Sequence, residues 1–192
     1  MSIIPKQDDG SVYWKFDNDV DSDTCKKIIS IAENKWETAT TKKVVQNKRK
    51  TKVHWTTEQW LYDIVFDYMH TANKNSGWNF EIDGAESMQI GRYGKGCFYN
   101  THHDGDGTTL YNYPDNKWLH NKTRKLSMSI LLNDDYEGGG FKFAGDIGNP
   151  IGGNGTKGTV IVFPSYHSHS VEKVTKGIRY SLVVWFLGKG FK

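Results

Sequence analysis

Near the end of the chain, Arg179-Tyr180-Ser181-Leu182-Val183-Val184-Trp185-Phe186-Leu187 reads as a strand with two different faces. Successive side chains of a strand point to opposite sides. Tyr180, Leu182, Val184 and Phe186 therefore share a wholly apolar or aromatic face, and Arg179, Ser181, Val183 and Trp185 share the other. A strand of this kind is covered on both sides, so the rest of the chain must supply two different packing partners.

The first half supplies helices. Cys25, Ile28, Ile29, Ala32 and Trp36 recur at helical spacing, which predicts an amphipathic helix over 21–36 with Ser22 as N-cap. Thr56 and Gln59 have capping-box spacing, and Trp60, Leu61, Ile64, Val65, Tyr68, Met69 and Ala72 continue one apolar face to a stop near Gly77. Alternation predicts strands at 12–16, 78–82 and 87–93. The segment 37–54 has no clear period. Beyond it come short strands at 97–103, 125–132, 140–144, 158–163, 169–174 and 179–187, several separated by Gly-rich turns such as Gly138-Gly139-Gly140 and Gly152-Gly153-Asn154-Gly155. Helices first and strands later predict an α+β fold, a sheet sandwich with helices against one face. At 192 residues without a repeat or low-complexity tract, one domain over 1–192 is expected.

Charge and cysteine content narrow the setting. A formal charge of +3 is too small to argue nucleic-acid binding, and the basic run Lys48-Arg49-Lys50-Thr51-Lys52, with Lys42-Lys43 before it, reads as a solvated loop. Cys25 and Cys97 read as free thiols. No charged start leads into an apolar stretch, and the longest apolar run, 182–187, is far too short for a membrane span. A cytoplasmic protein is expected.

The chemistry concentrates in Tyr99-Asn100-Thr101-His102-His103-Asp104-Gly105. His102 and Asp104, two apart at a strand end, can reach one metal ion from the same side, whereas His103 points away. A third ligand is available in Phe163-Pro164-Ser165-Tyr166-His167-Ser168-His169, where His167 and His169 share a parity; His169 opens the alternation with Val171 and Lys173. Two histidines and a carboxylate make the facial triad of non-haem Fe(II) oxygenases.

With these residues in order, the chain resembles the 2-oxoglutarate- and Fe(II)-dependent oxygenases, close to the prolyl 4-hydroxylase branch. The pattern runs through Tyr93, Gly96, Tyr99, His102, Asp104, Gly138-Gly139, Phe163-Pro164-Ser165, His169 and Arg179, within about 78–188. The resemblance implies a double-stranded β-helix, a jelly-roll barrel buttressed by the N-terminal helices, with the metal at its mouth. It selects His169 over His167, because the basic residue stands ten positions later at Arg179. It implies Fe(II) on His102, Asp104 and His169, 2-oxoglutarate as co-substrate, and ascorbate as an auxiliary. A buried lone guanidinium is costly without a partner, and the distal carboxylate of 2-oxoglutarate provides one for Arg179; Tyr93, Tyr99 and Ser181 are secondary contacts. The branch often has Lys at this place, so Arg179 supports the co-substrate without sharpening the branch.

The resemblance further implies a hydroxylase of a peptide or protein substrate, with proline as the residue modified. The aromatic segment Gly105 to Arg124, with Tyr111, Tyr113, Pro114 and Trp118, is expected to fold over it. An oxygenase of a free small molecule or nucleobase is the alternative; nucleobase-acting relatives usually carry a second Arg where Trp185 stands here. A catalytically idle barrel that binds RNA through Lys48–Lys52 is opposed by the complete ligand set.

Overall fold

The computed structural model describes residues 12–39, 48–145, 150–151 and 155–191. The first half runs β1 (Trp14–Phe16), α1 (Ser22–Ile31), β2 (Glu37–Thr38), β3 (Arg49–Lys50), β4 (Lys52–Thr56), α2 (Gln59–Asn75), β5 (Gly84–Ala85) and β6 (Met88–Tyr93). The second half is all strand: β7 (Phe98–His102), β8 (Lys122–Leu131), β9 (Glu137–Gly138), β10 (Phe141–Phe143), β11 (Val160–Pro164), β12 (His169–Val171), β13 (Val174–Lys176) and β14 (Arg179–Lys189).

Two antiparallel sheets carry the architecture. The larger has the order β1-β11-β8-β14-β6-β4-β2, with β5 also on β14, and the smaller has the order β10-β12-β7-β3. At the centre lies β14, between β6 and β8, as its two covered faces require. Leu182, Val184 and Phe186 pack in one cluster with Leu126, Met128 and Ile130 of β8 and with Cys25, Ile28, Leu61, Val65 and Met69 of the helices. On the other side, Leu131, Ile161 and Phe163 meet Phe141, Phe143 and Val171 of the smaller sheet. The expected α+β jelly roll, with helices outside and a barrel interior inside, is the fold observed.

The helices differ from expectation at their ends. In α1 the N-cap is Asp21, one residue before Ser22, because its carboxylate accepts from the N–H groups of Asp23 and Thr24. That helix stops at Ile31, short of Trp36, and Asn34 takes a left-handed φ of 61°. Thr56 makes no capping box with Gln59: it ends β4, and its hydroxyl accepts from Glu58 N–H. The buried residues of α2, Leu61, Val65, Met69 and Ala72, follow the predicted stripe, and Gly77 at φ 70° follows the helix.

Two strand readings and one loop reading differ from the structure. Residues 78–82 form no strand. Their apolar side chains Trp78, Phe80 and Ile82 pack on the core, but the backbone of Phe80 bonds in both directions to the Asn73 side chain instead of to a neighbouring strand. The predicted 169–174 strand is two strands, β12 on the smaller sheet and β13 paired with β9. The basic run is no solvated loop: Arg49–Lys50 is β3 and Lys52 begins β4, leaving Lys50 and Lys52 exposed while Arg49 is half-buried. Lys42-Lys43 and Gly152-Gly153-Asn154 lie outside the described residues. Both cysteines are free, and among the described residues no helix is long and apolar enough to cross a membrane.

The helix face has an energetic signature. Leu61 is fully buried, so Leu61→Ala is expected to lower the unfolding free energy in urea by about 2–5 kcal/mol through the cavity it leaves. Asp63→Ala, on the exposed face of the same helix, should change it by less than about 0.5 kcal/mol. Equal losses from the two substitutions would contradict the packing described.

Candidate active site

Strand pairing brings the distant ligands together. His102 of β7 and His169 of β12 are direct cross-strand partners, but Tyr99 pairs with Val171, so β7 spends three steps where β12 spends two. This bulge turns Tyr99 and His102, which strict alternation would separate, onto the same side of the sheet. Their rings stack at 3.5 Å. Asp104 lies just past the end of β7, where its N–H and that of Gly105 donate to the Ser165 carbonyl.

The three ligand side chains converge. His102 Nε2 is 3.7 Å from Asp104 Oδ1, His169 Nε2 is 3.6 Å from Asp104 Oδ2, and one ligand atom from each residue lies within 4.8 Å of the others. Each imidazole is oriented by the carbonyl two residues before it: His102 Nδ1 donates to Asn100 O at 2.8 Å and His169 Nδ1 to His167 O at 3.0 Å. A carbonyl can only accept, so Nδ1 holds the proton and Nε2 presents its lone pair. Phe141 stacks on His169 at 5.2 Å and Phe163 packs edge-on at 4.8 Å, which fixes its ring plane. Two neutral imidazoles and one carboxylate on a single side are a donor set suited to non-haem Fe(II), so the residues present fit that metal. His103 is exposed, and His167 contributes its backbone carbonyl to the site.

Electrostatics keep the set ready to bind. Burial, reinforced by His169, pushes the His102 imidazole down to about 4, so it is neutral at physiological pH. Burial alone would raise the Asp104 carboxyl, but His169, His102 and Arg124, together with a hydrogen bond from Ser127, outweigh it and hold the group below the ordinary carboxylate value. Arg124 is itself locked: it makes two 2.7 Å hydrogen bonds to Glu86, donates to the Asp104 carbonyl at 3.2 Å, and lies 4.0 Å over the Trp185 ring.

Beside the triad lies a cavity of about 450 Å³ measured to its open mouth. Its wall includes Tyr93, Tyr99, Arg179 and Ser181, all four of the non-ligand residues singled out from the sequence, and adds Arg49, Gln89 and Trp185, which were not. Arg179 is 1% exposed; its Nη1 donates to Ser181 Oγ at 3.1 Å, its guanidinium lies 5.4 Å from the Tyr93 ring centre, and Nε and Nη2 have no hydrogen-bond partner among the described residues. Gln89 could have been found from β6, where it shares parity with Gly91 and Tyr93. Arg49 carried no sequence signal, because its strand is only two residues long.

The segment between β7 and β8 is docked sideways. Tyr111 exchanges backbone hydrogen bonds with Lys122 and Asn121, and its hydroxyl donates to Glu86 at 2.7 Å. Trp118 covers Gly84, where a Cβ would come within 2.8 Å of its ring. With Trp55, these residues line an outer groove of about 990 Å³ measured to its open face. Trp185 of the cavity wall neighbours the groove residues Trp55, at 5.9 Å between ring centres, and Arg124, at 4.0 Å.

The depressed imidazole has a consequence for the metal-free protein. In the unfolded chain His102 takes up its proton near ~6.5, whereas in the folded chain it does so only at about 4. The unfolded state therefore binds more protons across that window, and stability falls as pH falls through it, by at most about 1.4 kcal/mol per pH unit. Urea midpoints measured in chelator should drop between about pH 6.5 and pH 4.5, and His102→Gln should flatten that slope. An identical slope in the variant would rule out His102 as its source.

The sequence profile of the 2OG-Fe(II) oxygenase superfamily matches residues 88–187, from the start of β6 through most of β14. Over 104 residues the chain is 34% identical to a PKHD-type hydroxylase of Thermosynechococcus vestitus; the alignment covers 51% of this chain and 41% of that protein, so the chain spans less than half of its length. Among solved structures, the fold matches a viral collagen prolyl hydroxylase of Paramecium Bursaria Chlorella virus-1, solved with 2-oxoglutarate, at a TM-score of 0.72 and 19% identity over 94% of this chain and 98% of that one. It also matches a prolyl hydroxylase of Trichoplax adhaerens, solved with a hypoxia inducible factor peptide, at 0.69 and 16% over 91% and 83%. At these identities the structural matches speak for the fold. The profile covers more than half of the chain and contains the whole converging set of His102, Asp104 and His169, and on that ground the chain belongs to the 2OG-Fe(II) oxygenase superfamily.

Proposed function

We propose that the chain, acting as one oxygenase domain over 1–192, hydroxylates prolyl residues in a peptide or protein, with Fe(II) on His102, Asp104 and His169 and the distal carboxylate of 2-oxoglutarate on Arg179. The observation that carries this reading is the Arg179 guanidinium: buried, beside the triad, with two nitrogens unpaired. A buried cation without a counter-charge is unstable, and among the described residues no carboxylate pairs with it. A dicarboxylate that reaches from the triad to Arg179 supplies the missing charge through a bidentate hydrogen-bonded pair.

Bound iron and 2-oxoglutarate supply the oxidising chemistry, in which O2 is consumed, succinate and CO2 are released, and one oxygen atom enters a C–H bond. The chain's own residues do the positioning. Ser181 accepts from Arg179 and fixes the plane of the guanidinium, and Tyr93 lies against it. Tyr99 packs on His102 and, with Phe141 and Phe163, keeps bulk water from the imidazoles. Ascorbate enters this reading as an auxiliary reductant with no residue assigned to it.

The substrate class rests on the outer groove. Trp55, Tyr113 and Trp118 are each more than 40% exposed, and with Tyr111 they line a groove whose Trp55 lies against Trp185 of the cavity wall. Aromatic surfaces of this kind grip polyproline II segments, which lose little entropy on binding. The names of the similar proteins, a PKHD-type hydroxylase and prolyl hydroxylases, support the same class.

Asp104→Ala is expected to abolish succinate formation from 2-oxoglutarate and Fe(II), because it leaves two neutral ligands. His103→Ala should leave Fe(II) affinity intact; equal metal loss from His102→Ala and His103→Ala would refute the assignment of faces. Arg179→Ala should raise the KM for 2-oxoglutarate roughly 10- to 100-fold with metal affinity preserved, the loss of one charge-assisted pair. An unchanged 2-oxoglutarate titration would remove the co-substrate role from Arg179.

A further inference from the structure

Four buried side-chain nitrogens on the cavity wall have no hydrogen-bond partner among the described residues: Nε and Nη2 of Arg179, Nε of Arg49 and Nε1 of Trp185. All four are donors. A buried polar group left unpaired costs on folding, so these four donors are matched by an occupant that offers acceptors. The co-substrate carboxylate accounts for the Arg179 pair. Arg49 remains, and its surroundings single it out.

Arg49 sits on β3 directly opposite Tyr99 of β7. Its guanidinium lies 4.6 Å over one face of the Tyr99 ring, while His102 stacks on that ring at 3.5 Å. The cation is thus held beside the metal ligand's own stacking partner. Nη2 donates a short hydrogen bond to Gln89 Oε1, which fixes its rotation, and among the described residues no carboxylate pairs with it. The residues 40–47 that precede β3 include no Asp or Glu. A guanidinium anchored on two sides, lining the cavity and without a carboxylate partner among the described residues is arranged to receive an oxygen.

We propose that Arg49, oriented by Gln89 and Tyr99, is a specificity-determining residue that binds an acceptor oxygen of the substrate, a backbone carbonyl or carboxylate next to the residue being hydroxylated. This rests on the oxygenase reading above and gives that reading a residue-level basis for its substrate. Proline is the one residue whose backbone in a chain offers a carbonyl and no N–H. A prolyl residue therefore brings an acceptor to these unpaired donors without a backbone N–H of its own to be satisfied.

The test uses the full chain loaded with Fe(II) and 2-oxoglutarate and two probes: acetyl-Ala-Pro-Ala-Pro-Ala-Pro-Ala-amide, whose acceptors are all carbonyls, and N-acetyl-L-proline, which offers a free carboxylate. Probe-stimulated succinate release is measured against probe concentration for the wild type, Arg49→Met and Arg49→Lys, with thermal midpoints recorded for each. Arg49→Met should raise the KM for the stimulating probe roughly 10- to 100-fold, as expected for losing a hydrogen bond to a charged group. The affinity of the Mn(II)-loaded variant for 2-oxoglutarate should stay within about twofold. Rescue by Arg49→Lys with N-acetyl-L-proline identifies a carboxylate as the bound group, since a point charge suffices for it; a peptide response lost in both variants identifies a carbonyl. The proposal is overturned if KM for the stimulating probe is unchanged in Arg49→Met, if the loss falls on 2-oxoglutarate instead, or if neither probe stimulates a wild type that binds 2-oxoglutarate. Failure of the oxygenase reading looks different: the wild type then binds neither metal nor 2-oxoglutarate.

Discussion

The site depends on one register, the pairing of His102 with His169 across β7 and β12. These histidines are separated by most of the barrel in sequence, and only the ladder makes them neighbours. The bulge that follows is part of the same device. An extra residue in β7 brings Tyr99 under His102 and leaves the Asn100 carbonyl facing His102 Nδ1. Losing the bulge would send Tyr99 to the other face and release the imidazole from its orienting partner, so ligand geometry and backbone irregularity cannot be varied independently.

The larger sheet has to provide stability and polarity from the same strands. On the helix side, β8 presents Leu126, Met128 and Ile130 and β14 presents Leu182, Val184 and Phe186, all essentially inaccessible. On the cavity side the same strands present Ser127, Ser129, Arg179 and Ser181. Small hydroxyl residues there leave space that larger apolar side chains would fill, and burying them contributes little hydrophobic free energy. The helices offset this: the apolar face they cover does the folding, which frees the opposite face for ligands.

Much of this was legible because strand periodicity is a short-range signal. The two faces of 179–187, the outward turn of His103 and the shared side of His102 and Asp104 follow from parity alone. Where hydrogen bonds come from side chains, parity misleads: 78–82 alternates as a strand does, yet Asn73 takes the Phe80 backbone bonds a strand partner would have taken. Asp21 displaced Ser22 as a cap because a carboxylate accepts from two N–H groups at once. Arg49 was hidden for another reason. A two-residue strand has no period to read, and a guanidinium in a basic run looks solvated until Tyr99 and Gln89 are brought beside it by contacts some 40 to 50 positions away in sequence.

The Gly138-Gly139 turn links the fold to the buried guanidinium of Arg179. Both glycines adopt left-handed φ, 74° and 66°, where other residues are strained. Conformation alone would explain them as a turn, but the space around them asks for more. A Cβ on Gly139 would stand 3.0 Å from Arg179 Cδ and 3.0 Å from Val174 Cγ2, and one on Gly138 would stand 2.4 Å from the Lys173 carbonyl. The turn therefore presses bare backbone against the stem of Arg179, with Tyr136 closing the other side of Gly139 at 3.2 Å. A long flexible side chain confined in this way keeps its planar head in one orientation, so less conformational freedom remains to be lost when a carboxylate arrives. The glycines act on the guanidinium by giving up volume, which is why they matter to a site whose reacting atoms they do not touch.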